Sequence, residues 1–357
     1  MKILVTGGAG FIGSHLAEHL LTAGHQLILI DNFEPSYPAA EKSENLTGVL
    51  SSGHIELVRV DICDTEVLKH VMKAQAPEAV VHLAALAGVR SSFDRPLDYV
   101  RINVAGTMAV LEACLHSRVR RLVFASSSSI YGARRTPFRE DHVDNTPVSP
   151  YGGTKLAGER LCQAYAGLGS LTVVCLRLFS VYGPRQRPDL ACRRFIEGIV
   201  GRRLITILGN GNCQRDYTYI GDIVRGISAA LDIDCRFEAI NLGRSQPTSI
   251  NALLACLEEI IGIKARIIHA DAHPGDVAIT CADLEKAARL LGWSPRTTLL
   301  AGLEKSVAWF TRAPDRYPKS NRPHLPSRLR GEPVRASRLP QPVPLNQAAD
   351  ELSMPDG

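Results

Sequence analysis

The sequence predicts an α/β fold, a doubly wound parallel sheet joined to a smaller α/β lobe. Three observations carry that expectation. Short β-branched runs alternate with amphipathic helical stretches up to about residue 180, a glycine-rich string separates the first strand from the first helix, and the rhythm breaks after Phe179. Strand, helix, strand repeated in this way requires crossover connections, and these make a parallel sheet covered on both faces. Right-handed crossovers wind such a sheet in both directions and leave ligands at the carboxyl ends of its strands.

Taken in order, strands are expected at 2–6, 26–31, 55–61, 79–83, 121–126 and 171–178. Helix-period stretches lie at 12–23, 65–75, 104–117 and 151–167. Residues 1–178 therefore form one expected domain. A Gly/Pro/Arg loop at 183–188 leads to a helix at 191–201 and a strand at 204–208. Helices near 222–231 and 249–261, a strand at 265–269, and helices at 284–291 and 299–312 complete the second lobe. Residues 179–312 are expected to sit over the carboxyl edge of the sheet, with some segments rejoining the first domain. From 313 to 357 the chain carries nine of its 21 prolines, scattered basic residues and no apolar period. Such a segment buries too little to offset its ordering entropy, so a disordered tail is expected.

Composition excludes several classes. Hydrophobic residues make up 45% and charged residues 22% of the 357, an ordinary globular mix. The net charge of +5 includes basic residues of the tail and makes no case for nucleic-acid binding. No apolar run approaches the ~18 residues of a membrane span. The first apolar run, residues 3–5, is too short for a signal-peptide core. Nine cysteines without a CxxC pair fit reduced thiols in a cytoplasm.

The string Gly7-Gly8-Ala9-Gly10-Phe11-Ile12-Gly13 joins the first strand to the first helix. Glycines there allow a tight turn and close approach of a pyrophosphate, whose charge meets the helix N-terminus. Asp31 follows Gly13 by 18 residues, at the end of the second strand. A carboxylate at that point accepts ribose hydroxyls and repels a 2′-phosphate, which favours NAD over NADP. The His15-Leu16-Ala17-Glu18-His19 string matches a zinc pattern. Its helix must face the pyrophosphate and the sheet, and no third ligand is apparent, so no metal is expected.

A serine run, 126–129, follows the strand at 121–126, and Tyr151 and Lys155 share one helical face four residues apart. An ammonium beside a phenol favours phenolate, making the tyrosine usable as a base near neutrality. The serine run, Tyr151 and Lys155 are thus the candidate catalytic groups.

With these residues in view the chain resembles an extended short-chain dehydrogenase/reductase of the nucleotide-sugar 4-epimerase group. The matching strings are TGGAGFIGSHL at 6–16, Asp61-Ile62, His82-Leu83-Ala84-Ala85, Asn103-Val104-Ala105-Gly106-Thr107, the serine run, Tyr151-Gly152-Gly153-Thr154-Lys155, and Arg215-Asp216-Tyr217-Thr218-Tyr219-Ile220. The resemblance covers residues 1 to about 312, and it implies Ser127 as the catalytic hydroxyl, Tyr151 as the base and Lys155 as its electrostatic partner and ribose ligand. It implies a Rossmann domain at 1–178 binding NAD through Gly7, Gly10, Phe11, Ile12, Gly13, Asp31, Asn32, Asp61, Ile62, Leu83, Ala84, Ala85, Asn103, Tyr151 and Lys155. It implies a substrate lobe in which Arg90, Ser128, Ser129, Ser180, Arg185, Arg187, Arg215 and Asp276 meet a UDP-sugar. A homodimer through helices 104–117 and 151–167 is implied as well.

Dehydratases of this group carry an Asp-Glu pair where Ser128 and Ser129 stand, and the glucuronate decarboxylases carry a glutamate in place of Ser129. Removal of water needs that extra acid and base, so epimerisation is the better reading. The stretch 177–189 and Ala87-Gly88-Val89-Arg90 resemble UDP-glucuronate 4-epimerases most closely. UDP-glucose or UDP-N-acetylglucosamine epimerisation, net sugar-nucleotide redox, and a non-catalytic NAD-sensing scaffold are the alternatives.

Overall fold

The computed structural model describes residues 1–51, 54–142 and 146–312. Strand β1 (Lys2–Thr6) is buried at all but its first residue, as a run with apolar neighbours on both faces should be. It is followed by α1 (Phe11–Thr22), β2 (Gln26–Ile30), α2 (Ala39–Leu50), β3 (Ile55–Val58), α3 (Thr65–Gln75) and β4 (Ala79–His82). Two single-turn helices, α4 (Ser91–Asp94) and α5 (Pro96–Tyr99), run through a π-helical turn at Val100–Ala105 into α6 (Gly106–His116). Next come β5 (Arg121–Ser127), a 3-10 turn at Ser128–Tyr131, α7 (Pro150–Gly167), β6 (Thr172–Leu178) and β7 (Ser180–Tyr182). The remainder is α8 (Ala191–Val200), β8 (Leu204–Leu208), β9 (Gln214–Tyr219), α9 (Ile220–Ala230), β10 (Phe237–Leu242), β11 (Pro247–Ser249), α10 (Ile250–Ile261), β12 (Arg266–Ala270), α11 (Glu285–Leu291) and α12 (Leu299–Arg312).

Seven strands form one parallel sheet in the order β10-β6-β5-β4-β1-β2-β3. The chain winds outward from β1 through β2 to β3, then returns to β4 on the other side of β1. That reversal opens a crevice at the carboxyl ends of β1 and β4. One apolar cluster built around Leu16, Leu20, Leu29 and Ile223 covers one face of the sheet, and a second around Leu68, Val110, Phe124 and Cys175 covers the other. The lobe beyond β6 adds a three-stranded sheet, β11-β9-β7, and a parallel pair, β12-β8.

Three differences from the sequence expectation have physical causes. The strand expected at 55–61 stops at Val58, because β2 ends at Ile30, the partner of Val58, and β3 has no other neighbour. Helix α2 lies where no element was expected; Pro38 immediately precedes it, and Leu46 and Val49 are buried in the core. Strand β10 is the seventh strand of the main sheet, although its pattern Phe-Glu-Ala-Ile-Asn-Leu reads as mixed. Its Asn241 is fully buried because its amide has partners: Nδ2 donates to Phe138 O at 2.8 Å and Oδ1 accepts from Tyr131 Oη at 2.8 Å. Among the described residues no helix is long and apolar enough to cross a membrane. The expected tail, 313–357, lies outside the described residues.

Candidate active site

A cleft of about 530 Å3 opens at the carboxyl edge of the sheet and runs beneath the second lobe, a size typical of sites for small ligands. One end is built by the loop from β1 to α1. Gly7 has φ +70, and a Cβ on it would stand 2.9 Å from the Ala84 nitrogen; one on Gly13 would stand 2.2 Å from the Gly7 carbonyl oxygen. No side chain fits there, so backbone N–H groups line the approach to α1. Gly10 caps α1 without a side-chain acceptor, which leaves the helix N-terminus available to an anion.

Asp31 stands just past β2 and is buried. Its Oδ2 accepts from Ala9 N at 3.1 Å and its Oδ1 from Phe33 N at 2.8 Å, with Lys42 Nζ 3.7 Å away. Asn32 donates from Nδ2 to Asp61 Oδ2 at 3.2 Å. Phe11, Ile12, Asp61, Ile62, Leu83, Ala84 and Ala85 complete this end of the cleft. The cradle and the strand-end carboxylate fit a dinucleotide.

At the other end, Ser149 caps α7 by accepting Gly152 N at 3.1 Å, with Pro150 opening the helix. This delivers Tyr151 to the end of β5, where the Ser127 hydroxyl acts to lower its phenol. Ser127 also accepts Ser129 N at 3.1 Å, which shapes the turn carrying Ser128 and Ser129. Lys155 is buried one turn along and donates from Nζ to Ala125 O at 2.8 Å. Burial lowers its pKa to about 8. The sequence spacing placed Lys155 as the group that lowers Tyr151. In the structure burial prevails and raises the phenol, the lowering influences are Ser127 and Arg187, and the ammonium is committed to the Ala125 carbonyl.

Arg90, Arg215 and Asp276 meet across the cleft. Asp276 Oδ2 accepts from Arg90 Nη2 at 2.9 Å, and its Oδ1 lies 3.8 Å from Arg215 Nη2. Arg187 forks onto Asp189, Nε to Oδ1 at 3.0 Å and Nη2 to Oδ2 at 2.7 Å, and also reaches Ala87 O at 3.0 Å. Ser180, on β7, lines the same wall.

Two residues expected at the cleft stand elsewhere. Asn103 lies behind the wall, where its Oδ1 accepts from Leu86 N (2.8 Å) and its Nδ2 donates to Leu86 O (2.9 Å), so it positions the segment after β4 and does not line the cleft. Arg185 has a left-handed backbone, φ 63, that turns its side chain onto α1, where it pairs with Glu18 at 2.5 Å. The zinc-like string is dispersed in the same way: His15 contacts Pro184 O at 2.9 Å, and Glu18 meets Arg185. Among the described residues no group of three metal-binding side chains gathers.

Sequence reasoning missed Tyr37 and Lys42, which also line the cleft. Recognising Pro38 as the start of a helix would have folded the segment back over Asp31 and exposed both.

A winding reversal with a glycine cradle on one side of it and a buried serine–tyrosine contact on the other makes this a dinucleotide-dependent α/β enzyme. The chain belongs to the NAD dependent epimerase/dehydratase family, which matches residues 3–243. It is 41% identical over 307 residues to a UDP-glucuronate 4-epimerase of Thermodesulfobacterium geofontis, covering 86% of this chain and 95% of that protein. The structure of a Bacillus cereus UDP-glucuronic acid 4-epimerase in complex with UDP-glucuronic acid and NAD superposes with TM-score 0.83 at 40% identity, covering 87% of this chain and 99% of the other. The UDP-glucose 4-epimerase of Thermotoga maritima with UDP-glucose superposes with TM-score 0.80 at 32% identity, over 87% and 98% of the two chains.

Proposed function

We propose that this enzyme, an NAD-dependent UDP-sugar 4-epimerase, interconverts UDP-glucuronate and UDP-galacturonate. The observation that carries the sugar assignment is Arg187, a guanidinium on the wall of the cleft that Ser127 and Tyr151 also line. A carboxylate at C6 accepts two parallel charge-assisted bonds from a guanidinium, whereas a neutral CH2OH offers it nothing to neutralise. The 41% and 40% identities to proteins described as UDP-glucuronate 4-epimerases support the same reading.

NAD held by the glycine cradle and Asp31 supplies the hydride acceptor and donor. Tyr151 takes the proton from the sugar O4 and later returns it, so the phenol acts as base and then as acid. Ser127 hydrogen-bonds the same oxygen and lowers the phenol. Lys155, anchored on Ala125 O, would hold the ribose of the cofactor when it is bound. Arg90 and Arg215 grip the diphosphate, with Asp276 between them. Ser128 and Ser129 supply no carboxyl group, which leaves a dehydratase without its acid and base. A homodimer through α6 and α7 belongs to the same proposal, and sedimentation tests it directly.

One observation favours a neutral sugar instead: Asp189 already forks onto Arg187. Incubation with UDP-glucuronate, UDP-glucose and UDP-N-acetylglucosamine, with product identification, decides between them. UDP-galacturonate formed with the highest kcat/KM upholds the proposal, and UDP-galactose formed fastest overturns it.

A further inference from the structure

Tyr37 stands between β2 and α2 and lines the cleft. It is only 7% exposed, and its hydroxyl is buried with no hydrogen-bond partner. Buried phenols nearly always find a partner, because an unpaired O–H forfeits the bonds it made to water. The ring itself is held: Lys42 Nζ lies 5.1 Å from its centroid, while that ammonium also donates to Glu34 O at 2.9 Å and pairs with Asp31 at 3.7 Å.

The charged groups acting on the hydroxyl are Asp31, Glu41, Arg187 and Arg193. Each has its own partners: Asp31 takes the Ala9 and Phe33 N–H groups, Arg187 holds Asp189, and Arg193 holds Glu41. Burial pushes the phenol's pKa well up, so it stays a neutral O–H donor throughout the working range. A neutral O–H on the cleft wall with no acceptor in the protein suits a ligand oxygen, and the phosphate-bearing ligands that the glycine cradle of the same cleft fits supply one.

We propose that Tyr37 donates its phenolic hydrogen to a phosphate oxygen of a nucleotide bound in the cleft. The proposal rests on the nucleotide-sugar reading above. Two phosphates belong to that reading, the pyrophosphate of NAD and the diphosphate of the UDP-sugar. Lys42, which holds both the Tyr37 ring and Asp31, favours the first, and Arg187 in the lining of the same cleft favours the second. Either way Tyr37 is a binding residue that takes no part in the proton transfer at Tyr151.

Isothermal titration of the wild type and Tyr37→Phe, both freed of copurified nucleotide, tests this with NAD and with UDP separately. A hydrogen bond to a charged group is worth roughly ten- to hundred-fold in affinity. That loss is expected for one of the two nucleotides, with the other unchanged within about twofold, and the affected nucleotide identifies the phosphate. Because the hydroxyl has no partner in the free protein, the ligand-free variant is expected to melt no lower than wild type. Unchanged affinity for both nucleotides overturns the proposal. Equal loss for both, or a ligand-free variant that melts clearly lower, assigns Tyr37 to packing and also overturns it. A wild-type chain that takes up neither NAD nor UDP overturns the nucleotide-sugar reading and the proposal together.

Discussion

Arg177 clasps Glu159 in a two-point fork inside the protein, Nε to Oε1 at 3.0 Å and Nη2 to Oε2 at 2.9 Å. The same Oε1 accepts the Ser126 hydroxyl at 2.5 Å, and the free arm of the guanidinium reaches Tyr131 Oη at 2.8 Å. Glu159 lies one turn beyond Lys155 on α7, Ser126 directly precedes Ser127 on β5, and Arg177 is on β6. One ionic cluster therefore fixes the helix carrying Tyr151 to the strand carrying Ser127.

Removing one partner leaves the other charged and desolvated, a loss of about 3–5 kcal/mol. Glu159→Leu is expected to destabilise by that much in urea unfolding, and Arg177→Met added to it should restore most of the loss. If the double variant is as unstable as the sum of the singles, the pair is not coupled in the way its geometry requires.

Five of the six strands from β1 to β6 were legible as apolar runs buried on both faces with a turn signal at the end, and the edge strand β3, half-exposed, was legible in place but not in length. The site residues of those strand ends were legible for the same reason: Gly7, Asp31, Ser127 and Tyr151 each stand where a strand or helix terminates. Strand β9 was not legible, since Gln214-Arg215-Asp216-Tyr217-Thr218-Tyr219 reads as polar. Asp216 is nonetheless fully buried, because its carboxylate accepts the N–H groups of Arg244 (2.6 Å), Ser245 (2.9 Å) and Ala282 (3.0 Å). Asn103 and Arg185 misled because position along the chain does not reveal which way a side chain turns.

Tyr151→Phe keeps the ring and removes only the group that moves the proton. Loss of an acid/base group costs ~10²–10⁴-fold, so kcat is expected to fall at least a hundredfold while NAD affinity stays within a few-fold. More than a tenth of wild-type activity in the variant would show that Tyr151 is not the base.

The lowered pKa of Lys155 has a signed consequence for stability. Unfolded lysine titrates near 10.5 and the folded residue at about 8, so between those values the unfolded chain binds more protons and folding strengthens as pH rises. Below pH 8 the full penalty of burying the ammonium is present, on the order of 3 kcal/mol before its bond to Ala125 offsets part of it. Lys155→Met, which removes the titration, should therefore be more stable relative to wild type at pH 7 than at pH 9.5. The same difference at both pH values in urea unfolding would rule out a depressed lysine.

Asp31 and Lys42 are together expected to set cofactor choice. Asp31→Asn removes the carboxylate that repels a 2′-phosphate and frees Lys42, 3.7 Å away, to meet one. The ratio of NAD to NADP affinity is expected to fall by roughly ten- to hundred-fold, the value of one charged hydrogen bond. Titration with both dinucleotides measures it, and an unchanged ratio would move the discrimination away from this strand end.

On the proposed function, Arg187 is the residue that selects the sugar. Its fork is already closed on Asp189, so a C6 carboxylate must share or displace that partner, and the two acidic groups compete for one guanidinium. Arg187→Ala then removes the cation on which a charged sugar depends and should lower kcat/KM for UDP-glucuronate by roughly ten- to hundred-fold, while UDP-glucose changes little. Asp189→Asn works in the opposite direction, since a guanidinium released from its carboxylate attracts the substrate's more strongly and KM for UDP-glucuronate should fall. An arginine that holds the diphosphate behaves differently, because both substrates carry that group and both lose alike when it is removed. Measuring the two kcat/KM ratios in each variant separates the cases, and equal losses in Arg187→Ala would remove Arg187 from sugar selection while leaving epimerisation untouched.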